Sequence, residues 1–232
     1  MAEKLQSLSV FFPTYNEEGN IENVVENAKK VLPSVAKKWE IIIVNDGSKD
    51  NTLSVAKRVA SKDKRISVVN HKVNKGYGGA LKTGFSKAKY PWVAFADSDG
   101  QFDFSEIKKF ISHTKNSDLI LGYRLKRADP MSRKIFTFGW AMVARFLVGL
   151  DVRDYSCGFK LIKKKVFEDV QPLVGEEKVT QIELLVKAGK KGFKFAEVGV
   201  NHYPRASGSQ TGADLKVVIK SIGDLIKLRK LL

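Results

Sequence analysis

The residues best suited to chemistry are Asp97-Ser98-Asp99-Gly100-Gln101. Two carboxylates two positions apart repel each other when nothing lies between them. Their oxygens suit a hard divalent cation that shares its shell with substrate phosphates. An Asp-x-Asp in isolation is more readily a pair of solvated turn residues. Its place directly after the apolar run Trp92 to Ala96 reverses that preference, because the run reads as a buried strand delivering both aspartates to one strand end. A second cluster, Asn45-Asp46-Gly47-Ser48 with Asp50, follows the β-branched run Glu40 to Val44. An aspartate there can accept hydrogen bonds from a base or a ribose, although the same residues also make an ordinary turn and helix cap. A third, Asn74-Lys75-Gly76-Tyr77-Gly78-Gly79, has glycines that let backbone N–H groups approach a phosphate and a lysine that adds positive charge. It lacks the Gly-Lys-Ser/Thr ending of a Walker A loop. It also follows the third strand, whereas a dinucleotide fingerprint begins at the first.

The elements that must carry these clusters alternate. Strands are expected at Leu8 to Phe12, Glu40 to Val44, Ile66 to Val69, Trp92 to Ala96 and Leu119 to Leu121. Between them, apolar residues recur at helical spacing: Ile21, Val24, Val25, Ala28, Val31 and Leu32 up to Pro33, with Asn20 as N-cap, then Leu53 to Ala60, Ala80 to Ala88 and Ile107 to Ile111. This βαβα order predicts an α/β fold with a mostly parallel sheet covered by helices on both faces. Ligands of such sheets bind beyond the carboxyl ends of the strands. The polar clusters Thr14 to Glu17, Asn45 to Asp50, Asp97 to Gln101 and Gly122 to Arg124 all follow strands, so they are expected to meet in one crevice. The second half is less regular. Ile135 to Leu150 reads as an apolar helix after a basic stretch, Arg153 to Phe159 as a loop, Gln181 to Ala188 as a helix, Phe195 to Tyr203 as a strand, and Asp214 to Leu232 as an amphipathic basic helix.

Composition narrows the class. The 232 residues carry 41 Lys and Arg against 25 Asp and Glu, a net charge of +16. That balance calls for an anionic partner: phosphorylated substrate, anionic membrane surface or nucleic acid. No nucleic-acid-binding motif accompanies the charge and the lysines are spread along the chain, so no nucleic acid is expected. Cys157 is the sole cysteine, which excludes an intrachain disulfide and a multi-cysteine zinc site. His71, His113 and His202 lack metal-ligand spacing and read as surface or packing residues. Ile135 to Leu150 falls short of the ~20 residues that span a bilayer, but its aromatic residues beside Arg127, Arg133 and Lys134 suit a membrane-surface helix. A core or dimer-interface helix is the alternative.

Four motifs occur in a fixed order: Pro13-Thr14-Tyr15-Asn16-Glu17, Val44-Asn45-Asp46-Gly47-Ser48, Asn74-Lys75-Gly76 and Asp97-Ser98-Asp99-Gly100-Gln101. This series resembles that of family 2 glycosyltransferases with the GT-A fold. Gly122-Tyr123-Arg124, Asp154 to Phe159, Gln181-Ile182-Glu183 and Arg205 with Gly208-Ser209 are similar to the dolichol-phosphate mannose synthase and polyprenyl-phosphate glycosyltransferase branch. The resemblance implies one GT-A domain over residues 1–212, with a nucleotide-sugar half at 1–123 and an acceptor half at 124–212, followed by the basic helix at 213–232.

The roles that follow are those the resemblance implies. Pro13, Tyr15, Glu17 and Asp46 hold the nucleoside, with Lys75 and Gly76 nearby. Asp97, Asp99 and Gln101 coordinate Mg²⁺ or Mn²⁺ and the diphosphate, with Ser98 between them. Arg205 contacts the diphosphate from a loop running to Ser209, and Arg124 and Arg133 meet an acceptor phosphate. Transfer inverts the anomeric carbon, from a GDP- or UDP-linked sugar to a polyprenyl phosphate at the cytoplasmic membrane face, with room for a separate membrane subunit. The alternative acceptor is a hydroxyl of a glycan or protein. That acceptor needs a general base, for which Asp154 and Glu183 are the candidates. The branch carries another arginine where the apolar helix begins. Here that stretch reads Thr137-Phe138-Gly139, leaving Arg133 or Arg145 as substitutes.

Overall fold

The structure is a computed structural model that describes residues 3–125, 151–175, 177 and 179–205. Arg133, Arg145, Ser209, the apolar helix expected at 135–150 and the basic helix expected at 213–232 lie outside the described residues.

Among the described residues, seven strands form one sheet in the order β3-β2-β1-β4-β6-β5-β7. They are β1 (Leu5–Thr14), β2 (Ala36–Asn45), β3 (Ile66–Asn70), β4 (Trp92–Ala96), β5 (Leu119–Arg124), β6 (Phe159–Lys163) and β7 (Phe195–Val200). All run parallel except β6, which enters antiparallel between β4 and β5. The register aligns Thr14 with Asn45 and Asn45 with Asn70, so the first three strands end level. The polar clusters therefore share one edge, as their positions after strands predict.

Consecutive side chains of a strand point to opposite faces, which explains why continuous apolar runs build two cores. Val10, Phe12, Ile41 and Ile43 join one core. It is covered by α1 (Ile21–Val35), α2 (Thr52–Ser61) and α4 (Ile107–Ile111). Phe11, Ile42, Val44 and Phe95 join the other, covered by α3 (Gly76–Lys87), α5 (Lys164–Asp169) and α6 (Val179–Lys190). Helix α1 buries Ile21, Val25, Ala28, Leu32 and Val35, a stripe at helical spacing.

Several boundaries differ from those expected. Helix α1 continues through Pro33 to Val35, past the point where the proline was expected to end it. Asn20 precedes α1 without a side-chain cap; its amide instead donates to Glu17 Oε2 at 2.7 Å. Strand β2 begins at Ala36, earlier than the apolar run, and β7 ends at Val200, short of Tyr203. Strand β6 has no counterpart in the expected elements. Its sequence, Phe-Lys-Leu-Ile-Lys, breaks the apolar pattern with Lys160, yet Lys160 is only 1% exposed.

Candidate active site

The carboxyl edge is assembled by bonds between neighbouring strand ends. The Asp46 N–H donates to the Thr14 carbonyl at 2.9 Å, and Ser98 Oγ donates to the Pro13 carbonyl at 2.8 Å. Asn16 adopts φ 54°; its N–H donates to Ser48 Oγ and its Oδ1 accepts from the Lys49 N–H. Pro13 to Glu17 and Asn45 to Asp50 thus form one knitted unit, with Tyr15 on it half-buried. Ser98 spends its hydroxyl on that scaffold.

Asp46 is buried and its Oδ1 accepts twice: from the Lys75 N–H at 2.9 Å and from His71 Nδ1 at 2.6 Å. His71 Nε2 in turn lies 2.9 Å from Thr83 Oγ1. The histidine therefore orients an aspartate of the edge, a role that its isolated position in the sequence conceals. Gly47 has φ +67°, and a Cβ there would come within 2.7 Å of the Asn74 backbone, so glycine is required where the second and third clusters meet. A cleft of ≈ 570 Å³ opens beside them, lined by Asn74, Lys75, Gly76, Gly79, Lys82, Thr83 and Glu177.

The acidic turn concentrates negative charge. Asp99 Oδ1 accepts from the Gln101 N–H at 3.0 Å, and Oδ2 lies 3.7 Å from Arg205 Nη1. Burial, and next the facing charge of Asp97, push the Asp99 carboxyl up to about 7. Glu17 is also raised by burial, although Asn20 and Arg205 both favour its charged form. The Arg205 guanidinium bridges Glu17 and Asp99. Gln101 donates Nε2–H to the Tyr203 carbonyl at 2.9 Å and accepts the Tyr203 N–H on its own carbonyl, which pins the approach to Arg205 against the turn.

Asp97 is held from two sides. Tyr77 donates its hydroxyl to Oδ1 at 2.8 Å, and the carboxylate lies flat on Gly158, where a Cβ would be 2.0 Å from Oδ2. The Asp97 N–H donates to the Gly158 carbonyl at 3.0 Å. Behind Tyr77 stand Gln181 and Lys160. Lys160 escaped the sequence reading, and Tyr77 and Gln181 entered only as members of motifs.

The two expected bases have partners of their own. Both oxygens of Asp154 accept from Arg124, Nε to Oδ2 at 2.7 Å and Nη2 to Oδ1 at 2.9 Å, a bidentate pair. Glu183 is 0% exposed, neither a base in the cleft nor a surface charge. It accepts from the N–H groups of Val174 and Gly175 and from Lys187 Nζ at 2.6 Å, anchoring the segment before α6. Gly76 has φ +74° and faces the Glu177 carboxylate.

The donor set fits a hard cation. Burial, together with the charge of Asp97, favours the protonated form of Asp99, and a divalent ion would relieve the repulsion between the two carboxylates. Among the described residues no group of three or more His, Cys, Asp or Glu could hold a metal. Two carboxylates leave the other positions to phosphate oxygens and water, the usual arrangement for Mg²⁺.

A mostly parallel α/β sheet whose carboxyl edge joins an Asp-x-Asp turn to a buried aspartate two strands away defines a glycosyltransferase of the GT-A type. The solved structures agree on the fold. Glucosyl-3-phosphoglycerate synthase from Mycobacterium tuberculosis, in complex with Mn²⁺, uridine diphosphate and glucosyl-3-phosphoglycerate, superposes with a TM-score of 0.74 over 97% of this chain and 80% of that one, at 19% identity. The chain belongs to glycosyl transferase family 2, which matches residues 9–171. Glycosyltransferase AglD of Haloferax volcanii is 30% identical over 230 residues, 94% of this chain and 36% of AglD. The dolichyl-phosphate beta-glucosyltransferase of Dictyostelium discoideum is 31% identical over 214 residues, 84% of this chain and 65% of that protein. The chain thus spans about a third to two thirds of these two relatives. The second is a glucosyltransferase, where the motifs suggest a mannose synthase.

Proposed function

We infer that this chain is an inverting, metal-dependent glycosyltransferase that moves a hexose from a nucleoside-diphosphate sugar to a polyprenyl phosphate. The observation that carries the reading is the Asp97-Asp99 turn, locked by hydrogen bonds onto the strand ends that also hold Asp46 and Glu17. Asp97 and Asp99, with Gln101 through its amide oxygen, would hold Mg²⁺ or Mn²⁺. When bound, the cation neutralises charge on the departing diphosphate. Arg205 adds a guanidinium beside the same turn, where negative charge develops as the bond from the anomeric carbon to the diphosphate breaks.

Uridine is the base that Asp46 favours. Its Oδ1 already accepts two bonds, which leaves Oδ2 for a ligand. Uracil presents one N–H, whereas guanine presents an N–H and an adjacent amino group that call for both oxygens. A glucosyltransferase among the relatives and the uridine diphosphate held by the structural neighbour support the same donor. We therefore place a UDP-hexose ahead of the mannose donor.

A phosphate acceptor agrees with the fate of the two candidate bases. Asp154 is paired with Arg124 and Glu183 is buried, and a phosphate acceptor calls on neither as a base. A phosphate monoester, with a second pKa of about 6, is already largely a dianion at neutral pH and attacks the anomeric carbon without a base. Arg124 stands at the end of β5, at the same edge as the acidic turn. No helix among the described residues is long and apolar enough to cross a membrane. Contact with an anionic cytoplasmic membrane face is part of the proposal, supported by the charge of +16 and the lipid acceptor.

The test is calorimetric titration of UDP and of GDP, with and without Mn²⁺, into the wild type and Asp99→Ala. Metal-dependent binding of UDP that the variant loses supports the reading, and polyprenyl phosphate is then assayed as acceptor. Absence of binding by either nucleotide to folded protein overturns it.

A further inference from the structure

Strand β6 carries a buried ammonium group that the donor chemistry leaves unused. Lys160 Nζ donates to the carbonyls of Cys157 and Tyr155 and, at 2.5 Å, to Gln181 Oε1. Gln181 Nε2 donates to the Tyr77 hydroxyl at 3.1 Å, and Tyr77 donates to Asp97 Oδ1 at 2.8 Å. Three elements contribute: β6, α6 and the first turn of α3.

The polarity of this chain is set at both ends, since the Asp97 carboxylate can only accept. An ammonium can only donate, and here it faces three oxygens. Gln181 must therefore turn its carbonyl toward Lys160, which leaves its NH₂ for Tyr77. The tyrosine oxygen accepts that bond, so its own proton goes to Asp97. Each bond admits one direction, and reversal at any link would set two donors or two acceptors face to face. On its other side the Asp97 carboxylate rests on Gly158, which leaves Oδ2 beside a residue without a side chain.

We propose that Lys160, Gln181 and Tyr77 are positioning residues that fix Asp97, engaging Oδ1 by a one-way relay of hydrogen bonds and so holding the carboxylate in place for the cation. This rests on the donor-site reading above. Partners of a ligating carboxylate are worth roughly 10- to 100-fold in metal affinity. The effect reaches Lys160 although it does not touch Asp97.

The experiment measures Mn²⁺ affinity of nucleotide-saturated protein by the electron paramagnetic resonance signal of free Mn²⁺. Nucleotide affinity in chelator and the melting temperature are measured beside it. Tyr77→Phe keeps the ring and removes one hydroxyl, so the fold and metal-free nucleotide binding stay as in the wild type while Mn²⁺ binding weakens about tenfold. Lys160→Met weakens Mn²⁺ binding in the same direction. Should Lys160→Met fail to fold, Tyr77→Phe decides alone. Wild-type Mn²⁺ affinity in a folded Tyr77→Phe overturns the positioning role and leaves the donor site standing. A wild type that binds no Mn²⁺ with either UDP or GDP overturns the donor site and the relay with it. A lower melting temperature with unchanged Mn²⁺ affinity marks the relay as packing only, and also overturns the proposal.

Discussion

Gly158→Ala isolates the placement of Asp97 from every other property of the site. The new Cβ would stand 2.0 Å from Oδ2, 2.2 Å from Cγ and 2.4 Å from Oδ1 of Asp97. Real Cβ atoms essentially never come closer than 3.0 Å, so the carboxylate must retreat by about 1 Å. The backbone cannot yield instead, because the Asp97 N–H is bonded to the Gly158 carbonyl at 3.0 Å and Phe159 is already paired with Ala96. A retreat of that size breaks the 2.8 Å bond from Tyr77. Hydrogen bonds to charged groups are worth about 1.5–3 kcal/mol, and a misplacement of about 1 Å in a reacting constellation costs about 100-fold. Replacing glycine by alanine also restricts the unfolded chain, which returns about 0.4–1 kcal/mol of stability. The expected signature is therefore a loss of metal-dependent UDP binding of tenfold or more, with a melting temperature lowered by no more than about 10 °C. Calorimetric titration of UDP in the presence of Mn²⁺, beside a thermal melt, measures both. A folded Gly158→Ala that binds UDP and Mn²⁺ as the wild type does would refute the idea that Asp97 is held against the β6 backbone for this purpose.

Asp99 gives a pH signature. Its carboxyl is pushed up to about 7 in the folded state from an ordinary value of 3.8, so the folded state binds more protons between those values. Stability is fully present below pH 4 and is lost as the pH rises through 7. A melt in chelator is expected to be lower at pH 8 than at pH 5, with the gap closed by Mn²⁺ and UDP. Below pH 7, cation binding should also release a proton, seen as a dependence of the calorimetric heat on buffer ionisation enthalpy that fades at pH 8. His71→Leu leaves Asp46 Oδ1 with one donor in place of two, and UDP affinity should fall about tenfold; His71→Asn, which restores an N–H, should recover most of it. Glu183→Gln should lower stability by about 2 kcal/mol in a denaturant titration, with turnover per folded molecule changed less than twofold. A loss of 100-fold or more in that turnover, the scale of a missing general base, would return Glu183 to catalysis.

The sheet was legible because parallel strands buried on both faces read as continuous apolar runs that stop abruptly at turn residues. Phe11 and Phe12, or Ile42 and Ile43, show no alternation, yet they serve opposite cores. The clusters at the strand ends were legible for the same reason. What stayed hidden depends on partners far away in the chain. Lys160 interrupts a strand pattern, and only three oxygens supplied by the folded chain make its burial tolerable. Glu183 looks like a helix-surface charge until the backbone of Val174 and Gly175 folds over it. Asp154 looks like an open base until Arg124, 30 positions earlier, meets it edge to edge. His71 carries no spacing signal at all, since its partner Asp46 lies on a different strand end.

The Arg124–Asp154 pair does more than occupy a carboxylate. It joins the last residue of β5 to the stretch leading into β6, so both ends of the intervening segment are clasped together at the reaction edge. Leu125 and Arg153 are tied to β7 beside it, through the Val200 carbonyl and Glu197 Oε1. The chain therefore leaves the sheet at Leu125 and rejoins it at Arg153 within one tied corner, on the same edge as the acidic turn.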